Sequence, residues 1–260
     1  MPEYQRLEIE RAQSAGFIYL NRPEKRNALD SLMVSELHDA VQELGGDDSV
    51  RSIVIAGRGK AFCAGADLAY LQQLAQFTAL DNMADSASLA RTLRAIYEVP
   101  KPVIARVHGP AIAGGCGLAT VCDIVVAVEQ ATFGYTEVKI GFIPAIVMAF
   151  LVRKSQQMQT RELLLSGRII AATEAFQRGL VTTVIPGNGE EAIAALDAHI
   201  ATLTAEFAAA SGSAITLTKQ MLTALDGMPL TSALDYASRM NALARLTPDC
   251  QAGIAQFLNR

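Results

Sequence analysis

The sequence predicts an α/β fold that continues into a C-terminal helical region, on two observations. Over residues 1–187, short hydrophobic runs of strand type alternate with amphipathic helical segments, a pattern typical of largely parallel sheets. From residue 190 onward, Ala-rich and Leu-rich segments have helical periodicity and no strand pattern. We therefore expect an α/β core over residues 1–187 and a helical region over residues 188–260.

The first strands and the first helix follow from local patterns. A helix lies between the second and third strands, where Asp30 or Ser31 can cap its N-terminus and apolar residues recur on one side as far as Leu44. The Gly-Gly-Asp-Asp segment at residues 45–48 then interrupts it. The four hydrophobic runs of strand type are residues 7–10, 16–20, 52–56 and 102–107.

The rest of the chain has a weak secondary-structure pattern in its middle and a strong helical pattern at its C-terminal end. Residues 71–95 are polar and Ala-rich, so we expect a mobile loop or irregular helices there. Pro229 and Pro248 suit helix starts, because the first turn leaves its N–H groups unbonded in any case. The expected C-terminal helices are residues 192–210, 215–225, 230–243 and 252–258.

Composition and charge exclude several classes of function. Of the 260 residues, 51% are hydrophobic, which is enough for one large core. The formal net charge is −4, so no overall basic field attracts nucleic acid or an anionic membrane. The sequence has neither a phosphate-loop nor a dinucleotide motif, so we expect no nucleotide cofactor.

Cysteine and histidine positions predict neither a metal site nor a disulfide framework. The four cysteines lack the spacing of metal ligands and suit buried apolar positions. His108 lies at a strand end, and none of the three histidines has a partner at the spacing of metal ligands. The N-terminal residues lack the apolar stretch of a secretory signal, and the longest apolar run, residues 140–152, is short and contains Pro144. We expect a soluble, cytoplasmic protein without a membrane span.

The most informative segment is the glycine-rich stretch at residues 109–123. It follows the strand at residues 102–107, and Gly114, Gly115 and Gly117 stand where a short apolar helical segment begins. Backbone N–H groups at a helix start are unbonded and point outward. This pattern predicts a site for an anion, or for an oxygen that becomes negative during a reaction.

A second loop of small residues strengthens that prediction. Residues 57–68 follow the strand at residues 52–56 in the same way. Two such loops at the ends of two strands can each aim one N–H at a single carbonyl oxygen. That arrangement is an oxyanion hole.

Glu137 is the one carboxylate in a largely apolar segment, residues 133–144. Apolar neighbours would partly desolvate it and raise its pKa toward the working pH of an acid–base catalyst. The alternative is a surface glutamate paired with Lys139, because residues two apart on a strand share a face.

Five motifs in this order resemble the enoyl-CoA hydratase/isomerase, or crotonase, superfamily over nearly the whole chain. They are Asn21–Leu29, Ala61–Asp67, His108-Gly109, Gly114–Cys116 and Leu165–Val181. The resemblance implies a superhelix of β-β-α turns, with a C-terminal region that packs subunits into trimers or pairs of trimers. It also implies an acyl-CoA thioester as substrate and no separate cofactor.

The superfamily stabilises an enolate of that thioester. Carried onto this sequence, the resemblance makes the amides of Ala66 and Gly114 the oxyanion donors and Glu137 the acid–base group. Asp67 is expected to hold its loop by hydrogen bonds. The residues that the resemblance implies for binding the thioester and the CoA are Lys25, Arg26, Ala28, Ala64, Gly65, Asp67, Leu68, Gly115 and Gly117.

The sequence departs from the superfamily pattern at Gly117, where two-carboxylate hydratases carry a second glutamate. Glycine can neither hold a water nor move a proton. One interpretation is a hydratase in which Glu137 acts alone. Residues 137–147 resemble the branch that includes methylglutaconyl-CoA and isohexenylglutaconyl-CoA hydratases, and Arg153 or Lys154 would then meet a distal carboxylate of the substrate.

Two other interpretations stay open. A Δ3,Δ2-enoyl-CoA isomerase needs one base to move one proton between two carbons, which suits a single glutamate. A weakly catalytic CoA-thioester binder or an RNA-binding module is the alternative of another class, and no basic stripe in the sequence favours RNA.

Overall fold

The structure is a computed structural model that describes residues 4–155 and 157–259. A six-stranded sheet lies at its centre, in the order β1-β2-β3-β4-β6-β9, and all pairs are parallel except β1–β2. A three-stranded sheet has the order β5-β7-β8. The strands are β1 (Leu7–Ala12), β2 (Ala15–Leu20), β3 (Ser52–Gly57), β4 (Val103–Val107), β5 (Ala111–Ile112), β6 (Ile124–Val128), β7 (Thr132–Gly134), β8 (Ile170–Ala171) and β9 (Thr183–Ile185).

Helices surround the larger sheet and form the C-terminal region. Two short 3-10 helices, Pro23–Lys25 and Glu137–Ile140, lie in the loops between them. The α-helices are α1 (Ser31–Gly46), α2 (Leu68–Leu74), α3 (Ala79–Glu98), α4 (Gly114–Val121), α5 (Ala145–Lys154), α6 (Gln157–Ser166), α7 (Ala172–Gln177), α8 (Gly189–Ala209), α9 (Gly212–Ala224), α10 (Leu230–Arg245) and α11 (Pro248–Leu258). The predicted α/β class and the helical C-terminal region are confirmed.

One helix prediction needs correction. Residues 71–95 are neither a mobile loop nor irregular helices, because α3 is a regular helix whose N-terminus is fixed by a capping box between Thr78 and Asp81. Helix α1 ends at Gly46 with Asp47 as its C-cap, within the segment predicted to interrupt it. The predicted N-cap of α1 is confirmed, since the Asp30 side chain accepts a hydrogen bond of 2.8 Å from the amide of Met33.

The central strands are buried on both faces, as parallel strands between helices usually are. Every residue of β3 and β4 is buried. On β2, Gly16 faces Leu44 of α1, whereas Phe17 and Tyr19 line a cavity of about 590 Å³ beneath α8. The two guanidinium groups of that cavity, Arg58 and Arg106, are already paired with carboxylates.

Helix α8 is the one helix in the described part of the chain that is long and apolar enough to cross a membrane by length and composition. It lies against β3, β6 and β9. Four of its residues, spaced four apart along one side of the helix, are buried: Ala192, Leu196, Ile200 and Thr204.

The C-terminal helices are tied to the core by polar contacts. The Lys219 ammonium of α9 is buried and donates to the Asp123 carboxylate (2.6 Å) and to the carbonyl of Lys101 (2.9 Å). Helices α10 and α11 are much less covered, and the exposed fractions of Leu230, Leu246 and Phe257 are 75%, 71% and 77%.

Candidate active site

The two glycine-containing loops meet, as the sequence predicts. A Cβ atom on Gly65 would lie 2.8 Å from the Ala113 Cβ and 3.2 Å from the Gly114 nitrogen. Gly65 also has a φ of +91°, a conformation that side chains strongly disfavour. Only glycine therefore allows the second loop to approach the N-terminus of α4 so closely.

The pairing of the second loop fixes the direction of the Ala66 amide. Leu29 pairs with this loop like a parallel strand: its N–H donates to the Gly65 carbonyl (2.7 Å), and its carbonyl accepts from the Asp67 N–H (2.8 Å). Amides of successive residues on an extended chain point to opposite sides. The N–H of Ala66 therefore points away from Leu29, on the side where α4 begins.

Gly114 borders the same space. It is the first residue of α4, and an ideal Cβ on it would lie 4.0 Å from the Ala66 nitrogen. Within residues 4–155 and 157–259, neither the Ala66 nor the Gly114 amide donates a hydrogen bond. Two free donors that border one space, one of them at the positive end of a helix, can hold one negative oxygen.

The residue before Gly114 is held in a rare backbone conformation. Ala113 has φ +50° and ψ −126°, and its N–H donates to the Gly134 carbonyl at 2.7 Å. Strained backbone of this kind persists where surrounding contacts enforce it, and it concentrates at functional sites. Here it turns the chain from β5 into α4 so that the Gly114 amide faces the second loop.

A buried ion-pair network supports the loop that carries Ala66. The Arg22 guanidinium contacts Asp67 (3.0 Å) and Asp30 (3.1 Å) and donates to the Ala28 carbonyl (2.8 Å). Asp67 also accepts from the Ala69 amide and so caps α2. Burial by itself raises the pKa of Asp67, but the ion pair with Arg22 and the amide bonds lower it below its ordinary value. The structural role predicted for Asp67 agrees with these contacts.

Replacing Arg22 by Met should lower the free energy of unfolding by about 3 kcal/mol, because the change leaves a buried carboxylate without its partner. Denaturant unfolding measures this change. The control is Arg94→Met, which removes a pair with Glu98 whose arginine is 71% exposed, and it should cost less than about 0.5 kcal/mol. Equal costs for the two variants would contradict the role given to Arg22.

Glu137 is a buried, unpaired carboxylate. Its exposed fraction is 7%, and its Oε2 atom has no hydrogen-bond partner among the described residues. Burial raises the pKa of Glu137 above its ordinary value of 4.5, as the sequence predicts. A carboxylate in this state gains more from taking up a proton than one in water does, which suits a general base.

The surroundings of Glu137 differ in part from the prediction. Glu137 begins a 3-10 helix rather than lying on a strand, so the predicted alternative pairing with Lys139 is wrong, and Lys139 is exposed. Tyr135 is fully buried beside Glu137, whereas Ile140 and Phe142 are 62% and 52% exposed and do not cover it.

Val147 occupies the place where a side chain at position 117 would stand. A Cβ atom on Gly117 would lie 2.1 Å from Val147 Cγ1 and 2.6 Å from Val147 Cβ. Val147 is itself buried, with 5% of its surface exposed. The position of the second glutamate is therefore closed, and Glu137 has no carboxylate partner from α4.

Gly117→Ala should cost about 1–3 kcal/mol of unfolding free energy in the native chain, because the added methyl overlaps Val147. In a Val147→Gly background, the further cost of the same change should fall below about 0.5 kcal/mol, because both Val147 Cβ and Val147 Cγ1 are then absent and the space is free. Chemical denaturation of the four variants of this cycle gives the coupling. Additive costs would show that Val147 does not close the position.

The residues predicted to bind CoA differ in exposure and in hydrogen bonding. Lys25 and Arg26 are exposed, at the end of the first 3-10 helix. The amide of Ala64 is already bonded to the Arg26 carbonyl at 3.0 Å, and the Ala28 carbonyl accepts from Arg22. Leu68 is 69% exposed. The amide of Ala64 therefore serves the fold, and the exposed side chains remain available to a ligand.

Other polar residues noted in the sequence have structural partners. The Nε2 atom of His108 lies 2.9 Å from the Gly59 carbonyl, and burial lowers the pKa of this histidine. Lys154 donates to the carbonyls of Val121 (2.9 Å) and Cys122 (2.6 Å) at the end of α4. In the described part of the chain, no group of three His, Cys, Asp or Glu side chains is arranged to hold a metal ion.

Sequence reasoning missed three features of the site. Arg22 lies inside the first motif, but nothing in the sequence shows that it reaches Asp67, 45 residues away. Val147 is an ordinary apolar residue on α5, so its contact with Gly117 leaves no sequence signal. Tyr135 belongs to the apolar segment predicted around Glu137, and the sequence does not show that its hydroxyl bonds Thr120 (2.9 Å).

The family model for enoyl-CoA hydratase/isomerase matches residues 10–260. The chain belongs to this family. It is 42% identical over 256 residues to a Thermus thermophilus protein named "Putative enoyl-CoA hydratase", with 98% of each chain covered. It is 36% identical over 184 residues to a crotonyl-CoA hydratase of Syntrophomonas wolfei, with 70% of each chain covered.

Solved structures agree with the family assignment. The enoyl-CoA hydratase of Mycobacterium smegmatis superposes with a TM-score of 0.90 at 31% identity, covering 98% of this chain and 96% of that one. An enoyl-CoA hydratase from Shewanella pealeana gives a TM-score of 0.92 at 28% identity, covering 99% and 94%. The crotonase fold expected from the motifs is confirmed.

Proposed function

We propose that this family member is an enoyl-CoA hydratase that works with a single carboxylate. The observation that carries the proposal is the pairing of two free amides, at Ala66 and Gly114, with one buried, unpaired glutamate on the neighbouring 3-10 helix. Names of relatives such as crotonyl-CoA hydratase support hydration as the reaction. The closed position at Gly117 supports the single carboxylate.

In this reaction, the thioester oxygen of a 2-enoyl-CoA would accept hydrogen bonds from both amides. Glu137 takes a proton from a water molecule while the water oxygen bonds to C3, and the electrons move onto the thioester oxygen as an enolate. The protonated Glu137 then returns its proton to C2 and regenerates the carboxylate. The amides hold the enolate oxygen more tightly than the neutral carbonyl, which lowers the barrier.

The second candidate is Δ3,Δ2-enoyl-CoA isomerisation, which the contact between Gly117 and Val147 specifically favours. Isomerisation requires one base that removes a proton from C2 of a 3-enoyl thioester and returns it to C4, through a dienolate whose oxygen the same two amides would hold. It needs no second group to orient a water molecule. A site in which α4 offers no second carboxylate suits this chemistry directly.

The finer assignment to the methylglutaconyl-CoA type rests on the motif at residues 137–147 alone. Neither cation suggested for a distal carboxylate is free to serve it. Lys154 is bonded to the end of α4, and Arg153 pairs with Asp226 at 2.6 Å. A substrate of this type would therefore have to displace existing contacts, so we rank an acyl chain without a distal charge first.

The proposed assembly is a homotrimer or a pair of trimers, with acyl-CoA as the small-molecule partner. The uncovered apolar side chains of α10 and α11, such as Leu230 and Phe257, support the burial of these helices in a subunit interface. Light scattering of the purified protein measures the mass of the assembly.

A substrate panel tests the proposed reaction. The native protein and Glu137→Gln are each incubated with crotonyl-CoA, a 3-enoyl-CoA and methylglutaconyl-CoA. The masses of the products are measured by mass spectrometry. Hydration adds one water to the mass, whereas isomerisation leaves the mass unchanged and creates the absorbance of a 2-enoyl thioester. A hydrated product from crotonyl-CoA that needs Glu137 supports the proposal, and an isomerised product alone would replace it with the second candidate.

A further inference from the structure

A hydrogen bond connects the segment that carries Glu137 to the helix that carries Gly114. The Tyr135 hydroxyl lies 2.9 Å from Thr120 Oγ1, and both residues are buried, with exposed fractions of 0% and 4%. Tyr135 stands two residues before Glu137. Thr120 lies on α4, six residues after Gly114.

The direction of this bond follows from the other partners of Thr120. Its hydroxyl donates to the carbonyls of Cys116 (3.0 Å) and Gly117 (3.2 Å) within α4. A hydroxyl has one proton, so the proton between the two side chains comes from Tyr135. The tyrosine therefore donates to the Thr120 oxygen, and the Cys116 thiol is a second hydrogen-bonding group beside the same hydroxyl.

Backbone contacts align the same two segments up to the residue before Tyr135. Ile112 pairs with Gly134 in the small sheet, and the Ala113 amide donates to the Gly134 carbonyl. Strand β7 ends at Gly134, and the chain then turns through Thr136 into the 3-10 helix of Glu137. Beyond the end of β7, the hydrogen bond between the Tyr135 hydroxyl and Thr120 connects this segment to α4.

We propose that Tyr135 and Thr120 are positioning residues that fix the Glu137 carboxylate at a set distance from the Gly114 amide. A directional hydrogen bond between buried groups defines that distance more sharply than apolar contact, which would permit sliding. Displacement of a reacting group by about 1 Å can reduce turnover by about 10²-fold. The inference rests on the proposed function, because it concerns the base and the oxyanion donor of that reaction.

The chemistry of the pair fits positioning rather than proton transfer. Burial raises the pKa of Tyr135 well above its ordinary value, so the phenol remains neutral and keeps its proton. Burial also raises the pKa of Cys116, the thiol beside it, to about 12. Neither group can serve as a second base, which leaves orientation of the segment as the contribution of the hydroxyl.

Steady-state kinetics of Tyr135→Phe, Thr120→Val and the double variant test the proposal. Each single change should lower kcat by about 10-fold or more while KM stays within about 2-fold, because binding groups are untouched and the base is displaced. The double variant should be no slower than the slower single variant, since both changes break one bond. Thr120→Ser keeps the oxygen and should restore most of the turnover.

A matched control separates positioning from stability. Thr92 is buried to a similar extent, with 1% of its surface exposed, and its hydroxyl bonds the carbonyls of Val34 and Ser88 away from the site. Thr92→Val should shift the unfolding midpoint by about as much as Thr120→Val, roughly 2–4 °C, with no change in kcat.

Two results would overturn the proposal. Wild-type kcat in Tyr135→Phe, with Glu137→Gln inactive, would remove the positioning role and leave the proposed function intact. Additive losses in the double variant would show two independent packing effects. Full activity in Glu137→Gln is a different result, because it would overturn the proposed function itself.

Discussion

Glu137→Gln should reduce kcat about 10²- to 10⁴-fold on the best substrate, because an amide cannot accept the proton that the reaction moves. The change keeps the size of the side chain, so KM should change little. Steady-state kinetics with saturating acyl-CoA measures both parameters. Retained turnover would show that another group is the base.

The same change should raise the free energy of unfolding at neutral pH by about 1 kcal/mol. The folded-state pKa of Glu137 is above its ordinary value of 4.5. At pH values between 4.5 and the folded-state pKa, the folded protein therefore binds more protons than the unfolded chain. Stability therefore falls as the pH rises through that window. The increase in the free energy of unfolding caused by Glu137→Gln should be present at pH values above this window and should disappear below pH 4.5.

Glu36→Gln is the matched control. Glu36 is also buried, with 8% of its surface exposed, but its two oxygens accept from the amides of Gln5 (2.9 Å) and Arg6 (2.8 Å). Loss of its charge weakens those bonds, so this variant should be less stable and fully active. Variants of Glu36 and Glu137 with stability changes of the same sign would contradict the view that Glu137 is an unpaired, functional carboxylate.

Gly114→Ala should reduce kcat/KM about 10²- to 10³-fold while the protein remains folded. The new methyl would have ordinary contacts, since its nearest neighbour is Leu29 Cδ1 at 3.7 Å. It would lie 4.0 Å from the Ala66 nitrogen, in the space that the thioester oxygen must enter. Kinetics measures the loss, and the unfolding midpoint verifies that the fold survives.

Two other glycines provide controls for this variant. Gly46→Ala places its methyl in open space in the last turn of α1 and should leave turnover unchanged. Gly115→Ala would bring a methyl within 2.2 Å of the Cys63 carbonyl oxygen and should destabilise the protein. Full turnover in Gly114→Ala would mean that the substrate oxygen does not lie between the two amides.

The sequence predicted the parts of the fold and site that depend on local pattern. The helix cap at Asp30, the strand pattern of β3 and the glycines before α4 are short-range signals, and each led to the observed element. The expectation that the loops of Gly65 and Gly114 meet was also correct, because both follow neighbouring parallel strands, β3 and β4.

Features that depend on contacts between distant segments were not visible in the sequence. The burial of Gly117 against Val147 depends on how α4 and α5 pack, and no residue type marks that contact. The regular helix at residues 79–98 was missed because its polar composition carries little amphipathic signal, whereas the cap at Thr78 and packing against α1 stabilise it.

A crystal structure of Glu137→Gln with a bound 2-enoyl-CoA would show directly whether the two amides hold the thioester oxygen. We expect the thioester oxygen within about 2.7–3.1 Å of both the Ala66 and the Gly114 nitrogens, with the side chain at position 137 facing C2 and C3. A thioester oxygen bonded to neither amide, with the acyl chain directed away from position 137, would contradict this expectation.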